Sequence, residues 1–115
     1  MHLSSLEKAE KKELDLEDAK GVYKQIPISK EDGTPTFSLR VFTIKPGGHT
    51  PLHTHSFEHL NYIIEGHGIV IDQDGKYEIK QGDFALIPPY EKHQYMNTSI
   101  SRPLVMICAV PKEYE

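Results

Sequence analysis

Residues 47–66 read GGHTPLHTHSFEHLNYIIEG, and this stretch carries both turn signals and candidate metal ligands. It begins with two glycines, which mark a tight corner, and ends in an apolar run before Gly66. His53 and His55 lie two residues apart, so in an extended strand both side chains point to the same face. His59 lies a further four residues along, an even spacing, so in a regular strand its side chain points to that face as well. The stretch therefore predicts a strand-rich fold that presents several imidazoles on one face.

Short runs rich in Val, Ile, Tyr and Phe continue on both sides of this stretch. They recur at intervals of about 8–12 residues, which is typical of a β-sandwich or barrel. Asp74-Gly75, between GIVID and KYEI, is the strongest hairpin signal, because a two-residue turn of this type needs a positive φ. No helical pattern interrupts the succession, which excludes a parallel sheet with crossover helices. We therefore expect an all-β domain over residues 21–115.

Residues 1–20 differ in character, because charged residues dominate and apolar ones are few. Ser4 or Ser5 is a candidate N-cap for a short helix in this segment. We favour instead a solvated extension that becomes ordered only against the body of the protein or a partner subunit. The predicted organisation is thus an N-terminal extension over residues 1–20 and one barrel domain over residues 21–115.

The bulk composition excludes several classes of protein. With 37% apolar and 26% charged residues, the chain of 115 residues is neither disordered nor fibrous. No apolar run approaches the roughly 20 residues that cross a bilayer, and the N-terminus lacks a secretion signal. The single cysteine, Cys108, permits no intrachain disulfide, so we expect a cytoplasmic protein without a membrane partner. A net charge of −4 without a basic stripe argues against nucleic acid as a partner.

The histidines are the main chemical signal, since the chain has seven of them. His93 opens a later strand-like run, HQYMN, which a curled sheet can bring beside His53 and His55. Neutral imidazole nitrogens that converge from two strands suit a divalent transition metal. A lone strand histidine is more often a surface or hydrogen-bonded residue than a ligand, so the prediction depends on the group. His49 and His67 are expected to be exposed rather than ligating.

The spacing of these residues resembles two motifs of the cupin family. The first motif, G-x5-H-x-H-x3–4-E-x6-G, is matched by Gly47, His53, His55, His59 and Gly66. The second motif, G-x5-P-x-G-x2-H-x3-N, is matched by Gly82, Pro88, Tyr90, His93 and Asn97. The resemblance spans residues 47–97, and the flanking β-runs fit the rest of the barrel. It implies the cupin double-stranded β-helix, a jelly-roll barrel, as the fold.

Two positions depart from the family pattern. His59 stands where the family usually has a glutamate, and strand alternation turns the neighbouring Glu58 away from the metal, so His59 is assigned as the fourth ligand. This arrangement is similar to a subgroup of small cupins that hold manganese, iron, copper, nickel or zinc with four histidines. We expect one such ion per subunit, with manganese or iron favoured. Tyr90 replaces a family glycine, which bears on the turn at residues 88–92 but not on the metal. The predicted ligands are His53, His55, His59 and His93.

Strand alternation also predicts the walls of the cavity. The residues expected to face inward are Tyr95, Asn97, Leu104, Met106, Cys108 and Val110. Among them, Cys108 is either a neighbour of the ligands or an ordinary small buried residue. Arg40, in the otherwise apolar run FSLRVFTI, either reaches into the pocket or faces solvent.

A dication held by four neutral ligands keeps its charge uncompensated, so we expect it to attract a small, anionic organic substrate and to acidify bound water. The resemblance implies a dioxygen-dependent oxidoreductase. One alternative is a sugar or keto-acid isomerase, for which only Tyr95 and Glu58 are acid–base candidates. Another is a non-catalytic module that binds a metal or small molecule.

A homodimer is the expected assembly. The residues of HLNYIIE that point away from the predicted metal supply an apolar face for a second copy of the chain. Packing between the two sheets of one subunit is the other interpretation of that face. These residues are Leu60, Tyr62 and Ile64.

Overall fold

The computed structural model describes residues 1–115 and contains nine β-strands and two short 3-10 helices. The 3-10 helices are Lys30–Asp32 and Lys112–Tyr114. The strands are Lys12–Glu13 (β1), Lys20–Ile28 (β2), Phe37–His49 (β3), His59–Glu65 (β4), His67–Asp72 (β5), Gly75–Lys80 (β6), Phe84–Ile87 (β7), His93–Met96 (β8) and Leu104–Pro111 (β9).

All strand pairs are antiparallel and belong to one curled sheet in the order β6-β5-β8-β3-β9-β4-β7. The long strand β3 pairs with β9 over residues 37–44, with β2 along its other edge, and with β8 at His49. One strand thus connects three parts of the sheet and bends it around a central space. The all-β prediction is confirmed, and the architecture is the expected jelly-roll barrel.

Strand β9 shows most clearly how alternation builds the interior. Every second side chain from Leu104 to Val110 is at most 1% exposed, whereas most of the residues between them are half-buried and Val105 is buried. Full burial of such an apolar side chain stabilises the fold by about 1.5–3 kcal/mol. All six residues of the predicted inward set are buried, but only Tyr95, Met106 and Cys108 line the cavity. Asn97, Leu104 and Val110 do not line it, so the prediction of the cavity walls was wrong for these three.

The apolar core occupies one end of the barrel and forms the floor of the cavity at the other. Tyr95 and Met106 belong to the core cluster and also line the cavity. The remaining core residues are Val22, Ile44, Ile63, Ile79 and Leu104.

The side chains of β4 that were expected to point away from the metal are at least partly accessible to solvent. Leu60 is exposed, while Tyr62 and Ile64 are half-buried. Because Leu60 faces solvent, it does not pack between two sheets of the same subunit.

The predicted hairpin joins β5 to β6, but its turn lies one residue earlier than expected. Asp72 pairs with Gly75, so the turn residues are Gln73 and Asp74 rather than Asp74 and Gly75. The Asp72 carboxylate accepts hydrogen bonds from the backbone N–H groups of Asp74 (2.8 Å) and Gly75 (3.0 Å). An aspartate at this position can mimic a backbone turn in this way, and the shift of the turn follows from it.

The N-terminal extension lies against the barrel and contains no α-helix. It makes a turn at residues 6–8, and Gln25 of β2 donates hydrogen bonds to the carbonyls of Leu6 and Ala9 (2.7 and 3.0 Å). Strand β1 then pairs with β2, and Leu14 packs against the core. The extension therefore contributes to the barrel domain. The structure has no helix of the length and hydrophobicity that a membrane span requires.

Candidate metal centre

Three predicted ligands, His53, His55 and His93, lie together at the open end of the barrel. His53 and His93 form an isolated antiparallel bridge, in which each backbone N–H donates to the carbonyl of the other residue (3.2 and 3.1 Å). One ring nitrogen from each of the three histidines lies within 4.8 Å of the other two. The ring centroids are 4.9–5.1 Å apart in all three pairs. The prediction that two distant segments bring their imidazoles together is confirmed.

Backbone carbonyls set the tautomer of each of these rings. Nδ1 of His53 lies 2.7 Å from the Pro51 carbonyl, Nδ1 of His55 lies 2.9 Å from that of Phe57, and Nδ1 of His93 lies 2.9 Å from that of Glu91. A carbonyl only accepts, so each Nδ1 must carry the hydrogen. In the neutral ring the lone pair is therefore on Nε2, which is the usual arrangement of a metal-binding histidine.

The donor set fits a divalent transition metal. Nε2 of His55 is buried and has no hydrogen-bond partner, although an unpaired buried polar atom is costly. A metal ion would satisfy this atom. Three imidazoles suit zinc, copper, iron or nickel better than calcium or magnesium, which prefer oxygen ligands.

Burial favours the neutral form of His55 and His93, as metal ligation requires. It lowers the pKa of His55 and of His93, and each imidazole also repels a positive charge on its neighbours. The pKa of His59 falls to about 2, first because of burial and then because of His55 and Arg40. Protons therefore compete only weakly with a metal for His55, His59 and His93 near neutral pH.

His59 lies beside the three-histidine cluster but differs in its contacts. It is buried at the start of β4, and its ring stacks on that of His55 with centroids 4.0 Å apart. Its Nε2 lies 3.3 Å from Nη2 of Arg40. Since a guanidinium has only donors, Nε2 of His59 accepts this hydrogen bond, and its lone pair points towards Arg40. The structure thus brings three of the four predicted ligands into one site, with the fourth turned to a cation.

Arg40 and Cys108 are neighbours in this wall of the cavity. They are register partners on β3 and β9, and Nη2 of Arg40 donates to Sγ of Cys108 at 3.0 Å. Arg40 is only 7% exposed and lines the cavity, so it does not face solvent. Cys108 is fully buried and contacts a charged group, which places it next to the candidate site.

Tyr95 lies beneath the cluster, and its hydroxyl donates to Oδ1 of Asn61 at 2.8 Å. Burial raises the pKa of the Tyr95 hydroxyl, so it stays protonated throughout the neutral range. Asn61 was not predicted as a site residue. The signal was present, since Asn61 shares the parity of His59 on β4.

The cavity has a volume of about 450 Å³, and its walls are mainly apolar. The predicted pocket residues Arg40, Tyr95, Met106 and Cys108 all line it. Glu58 is exposed and does not line it, as expected from alternation. Part of the wall was not predicted from the sequence, and it comes from the N-terminal extension and from aromatic residues on either side of the histidines. These residues are Leu14, Leu16, Asp18, Phe42 and Phe57.

The structure also places Tyr90, the second departure from the family pattern, and two histidines that lie outside the cluster, His49 and His67. Tyr90 adopts a left-handed backbone conformation with φ 66°, and its N–H donates to the His55 carbonyl at 2.7 Å. The turn therefore keeps the conformation that a glycine would favour. His67 is exposed at the start of β5, as expected. The expectation that His49 is exposed was wrong, because His49 is half-buried, with Nδ1 3.2 Å from the Thr50 carbonyl. Neither belongs to the cluster.

Comparison with known families gives one match that covers more than half of the chain. Residues 40–110 match the family model described as a cupin domain. This range contains both histidine motifs and strands β3 to β9 almost completely.

Two individual relatives match part of the chain. An uncharacterized protein from Methanocaldococcus jannaschii is 33% identical over 75 residues, which are 64% of this chain and 60% of the relative. Gentisate 1,2 dioxygenase 1 from Aquipseudomonas alcaligenes is 35% identical over 63 residues, or 54% of this chain and 18% of that enzyme. The chain thus spans less than two thirds of either relative. Among solved structures, the polyketide cyclase RemF from Streptomyces resistomycificus has the same fold, with a TM-score of 0.90, 24% identity, and coverage of 97% of this chain and 80% of that one.

Proposed function

This chain belongs to the cupin domain family, and from that premise we propose that it is a mononuclear metal enzyme that oxidises a small organic molecule with dioxygen. The observation that carries the proposal is the orientation of three imidazoles. Backbone carbonyls hold their Nδ1–H groups, and their Nε2 lone pairs are available at one end of a largely apolar cavity.

We assign His53, His55 and His93 as ligands, and His59 as a fourth ligand once its Nε2 is no longer engaged by Arg40. When bound, iron or manganese supplies Lewis acidity towards substrate oxygens and electron exchange with dioxygen. If the ion is six-coordinate, four ligands from the protein would leave two positions for substrate, dioxygen or water. Zinc, nickel and copper also fit imidazole ligands, and their presence would favour different chemistry.

The remaining cavity residues bind and orient the substrate. Leu16, Phe57 and Met106 offer apolar contact to a ring-sized molecule, and they keep water away from it. The neutral Tyr95 hydroxyl can donate to a substrate oxygen if it leaves Asn61. A dioxygenase inserts both oxygen atoms into its substrate and so needs no separate reductant. The similarity to part of a gentisate dioxygenase supports this reaction class and an aromatic substrate.

Metal content and oxygen uptake test this proposal together. Protein purified without a histidine tag or added metal is analysed for elements, then loaded with Fe²⁺ or Mn²⁺ and screened for oxygen consumption with small aromatic and keto acids. We expect about one ion per chain and uptake that requires it. The His53→Ala variant should lose both, whereas His67→Ala, which alters an exposed histidine outside the cluster, should lose neither. Metal-loaded protein that consumes substrate equally fast without oxygen would reject the dioxygenase assignment.

A redox-neutral cyclisation or isomerisation is the second candidate. It is favoured by Tyr95, a buried protonated hydroxyl close to the histidines that can transfer a proton or hold an enolate oxygen. The close structural similarity to a polyketide cyclase is compatible with it, although at 24% identity this similarity shows only the fold. Activity that persists anaerobically, and with zinc as the only metal, would support this candidate.

We also propose that the chain forms a homodimer through the outer face of β4 and β7. Leu60 pairs with Leu86 and Tyr62 pairs with Phe84, so these four side chains lie on one face. Phe84 is 81% exposed, and β7 is an edge strand. A contiguous apolar patch at a sheet edge is a typical interaction surface.

A further inference from the structure

Arg40 is a buried cation without a counter-ion. Its guanidinium forms no ion pair, because the two salt bridges of the structure are His2–Asp32 and Lys12–Glu10. It lies over the ring of Phe42, with Cζ 5.0 Å from the centroid. Removing a charged group from water without a partner of opposite charge is costly. A group in this position is therefore expected to have a function.

The hydrogen-bond donors of Arg40 are also incompletely used. Nη2 contacts Nε2 of His59 and Sγ of Cys108, and neither contact is to a carboxylate. Nε is buried and has no partner. Because thiols are weak acceptors, the guanidinium has capacity for a stronger, negatively charged ligand that enters the cavity.

We propose that Arg40 binds a carboxylate of the substrate, so that this cavity takes small carboxylic acids with an apolar, ring-sized body. The inference rests on the proposed function, since it names the substrate class of the same cavity. Carboxylates and guanidinium groups form paired, charge-assisted hydrogen bonds. Since Arg40 contacts His59, a carboxylate bound there lies next to the ligand cluster, and an adjacent substrate oxygen can face the metal site.

Three features of the cavity favour a carboxylate over a phosphate. The walls are mostly apolar, and a dianion loses more hydration on entry than a monoanion does. The second cation of the cavity, Lys24, has its pKa lowered by burial and by Arg40, which reduces its capacity to balance a second negative charge. The carboxylate of Asp18 lines the cavity as well, where it accepts a hydrogen bond from the Leu52 N–H (3.0 Å) and repels highly charged anions.

Binding to metal-free protein isolates the contribution of Arg40 from that of the metal. Calorimetric titration would use benzoate, its neutral analogue benzamide, and inorganic phosphate. We expect benzoate to bind the wild-type protein at least tenfold more tightly than Arg40→Met, with Arg40→Lys intermediate. Benzamide should bind both proteins equally weakly. Arg102→Met, which removes the other arginine of the chain at an exposed position, should bind benzoate like the wild type.

Several results would overturn the inference. These are equal benzoate affinity in wild type and Arg40→Met, equal affinity of the wild type for benzoate and benzamide, or phosphate binding tighter than benzoate binding. If the Met variant does not fold, the Arg40 Nε–H resonance of wild-type protein provides a second readout, and it should shift on addition of benzoate. An unmoved resonance counts against the site.

Elemental analysis of the protein as purified, before its metal is removed for the titrations, separates this inference from the proposed function. If the protein holds a metal but does not distinguish benzoate from benzamide, the carboxylate site is rejected and the proposed function stands. If the protein binds benzoate through Arg40 but holds no metal, the proposed function is rejected and the carboxylate site stands.

Discussion

His53 and His93 are joined by two reciprocal backbone hydrogen bonds of 3.2 and 3.1 Å, although they are 40 residues apart in sequence. This bridge fixes the separation of two candidate ligands before any metal binds. His55 is positioned by the same segment, and its carbonyl accepts from the N–H of Tyr90 at 2.7 Å. The backbone, rather than the side chains alone, preorganises the site.

Metal binding should stabilise this protein, because an ion held by both segments cross-links them. A ligand at one hundred times its dissociation constant adds about 2.7 kcal/mol to the free energy of unfolding. We therefore expect the melting temperature to rise by several degrees on loading and to fall on chelation. His93→Ala should remove the shift, while His49→Ala, which lies outside the cluster, should keep it. An equal shift in His93→Ala would show that the ion binds elsewhere.

The stability of metal-free protein should fall in mild acid. His55, His59 and His93 have pKa values lowered by burial, whereas in the unfolded chain a histidine has a pKa near 6.5. Below that value the unfolded state binds protons that the native state refuses, so the free energy of unfolding decreases as pH falls from about 6.5 towards the native pKa values. We expect a loss on the order of 1 kcal/mol or more between pH 7 and pH 5.

Urea denaturation at several pH values measures this dependence. A His59→Gln variant, which removes the ring with the largest shift, should show a shallower slope. If the wild-type free energy of unfolding does not change between pH 7 and pH 5, the rings are not held neutral by burial.

The backbone at Tyr90 should be strained, since a non-glycine residue in the left-handed region costs about 1–2 kcal/mol. Tyr90 is largely exposed, so little packing is lost on its removal. We expect Tyr90→Gly to leave the free energy of unfolding unchanged or to raise it by up to about 1 kcal/mol, as judged from chemical denaturation.

Gly82→Ala is the matched reverse change, because it introduces a side chain at a residue with positive φ. Its φ is 97°, and a Cβ at this position would meet no atom within 4 Å, so Gly82→Ala introduces only backbone strain. We expect it to destabilise the protein by about 1 kcal/mol. Marked destabilisation by Tyr90→Gly would show instead that the aromatic side chain itself stabilises the turn.

Much of this structure follows from local sequence patterns. The alternation along β9 and the succession of short apolar runs predict an all-β sandwich or barrel and its buried face. These features depend on strand periodicity and on turn residues, which act within a few positions. The resemblance to the two cupin motifs implied the jelly-roll topology and a site of four histidines, of which three lie together in the structure. Strand alternation could also have predicted Asn61 as a site residue, because Asn61 lies two residues after His59 on β4.

Other features depend on contacts between distant segments. Arg40 has an ambiguous position in FSLRVFTI, and only the pairing of β3 with β9 places it beside Cys108 and opposite His59. The contribution of Leu14 and Leu16 to the cavity requires the N-terminal extension to cross the barrel mouth. The hairpin turn moved by one residue because the Asp72 side chain competes with the intrinsic preference of Asp-Gly.

The outer face of β4 and β7 should hold two copies of the chain together. Leu60, Phe84 and Leu86 are exposed on this face, and the ring of Phe84 packs against Tyr62 with centroids 4.4 Å apart. Because a charge buried in an apolar interface without a partner is costly, Phe84→Asp should convert a dimer to a monomer. Ile100→Asp is the matched control: Ile100 is also highly exposed, but it lies in a loop outside the patch, so its variant should remain dimeric. Sedimentation velocity at about 100 μM, a concentration at which a micromolar complex is mostly associated, distinguishes the two species. A wild-type protein that sediments as a monomer under these conditions would remove the homodimer, and the exposed apolar patch would then have to contact a different partner.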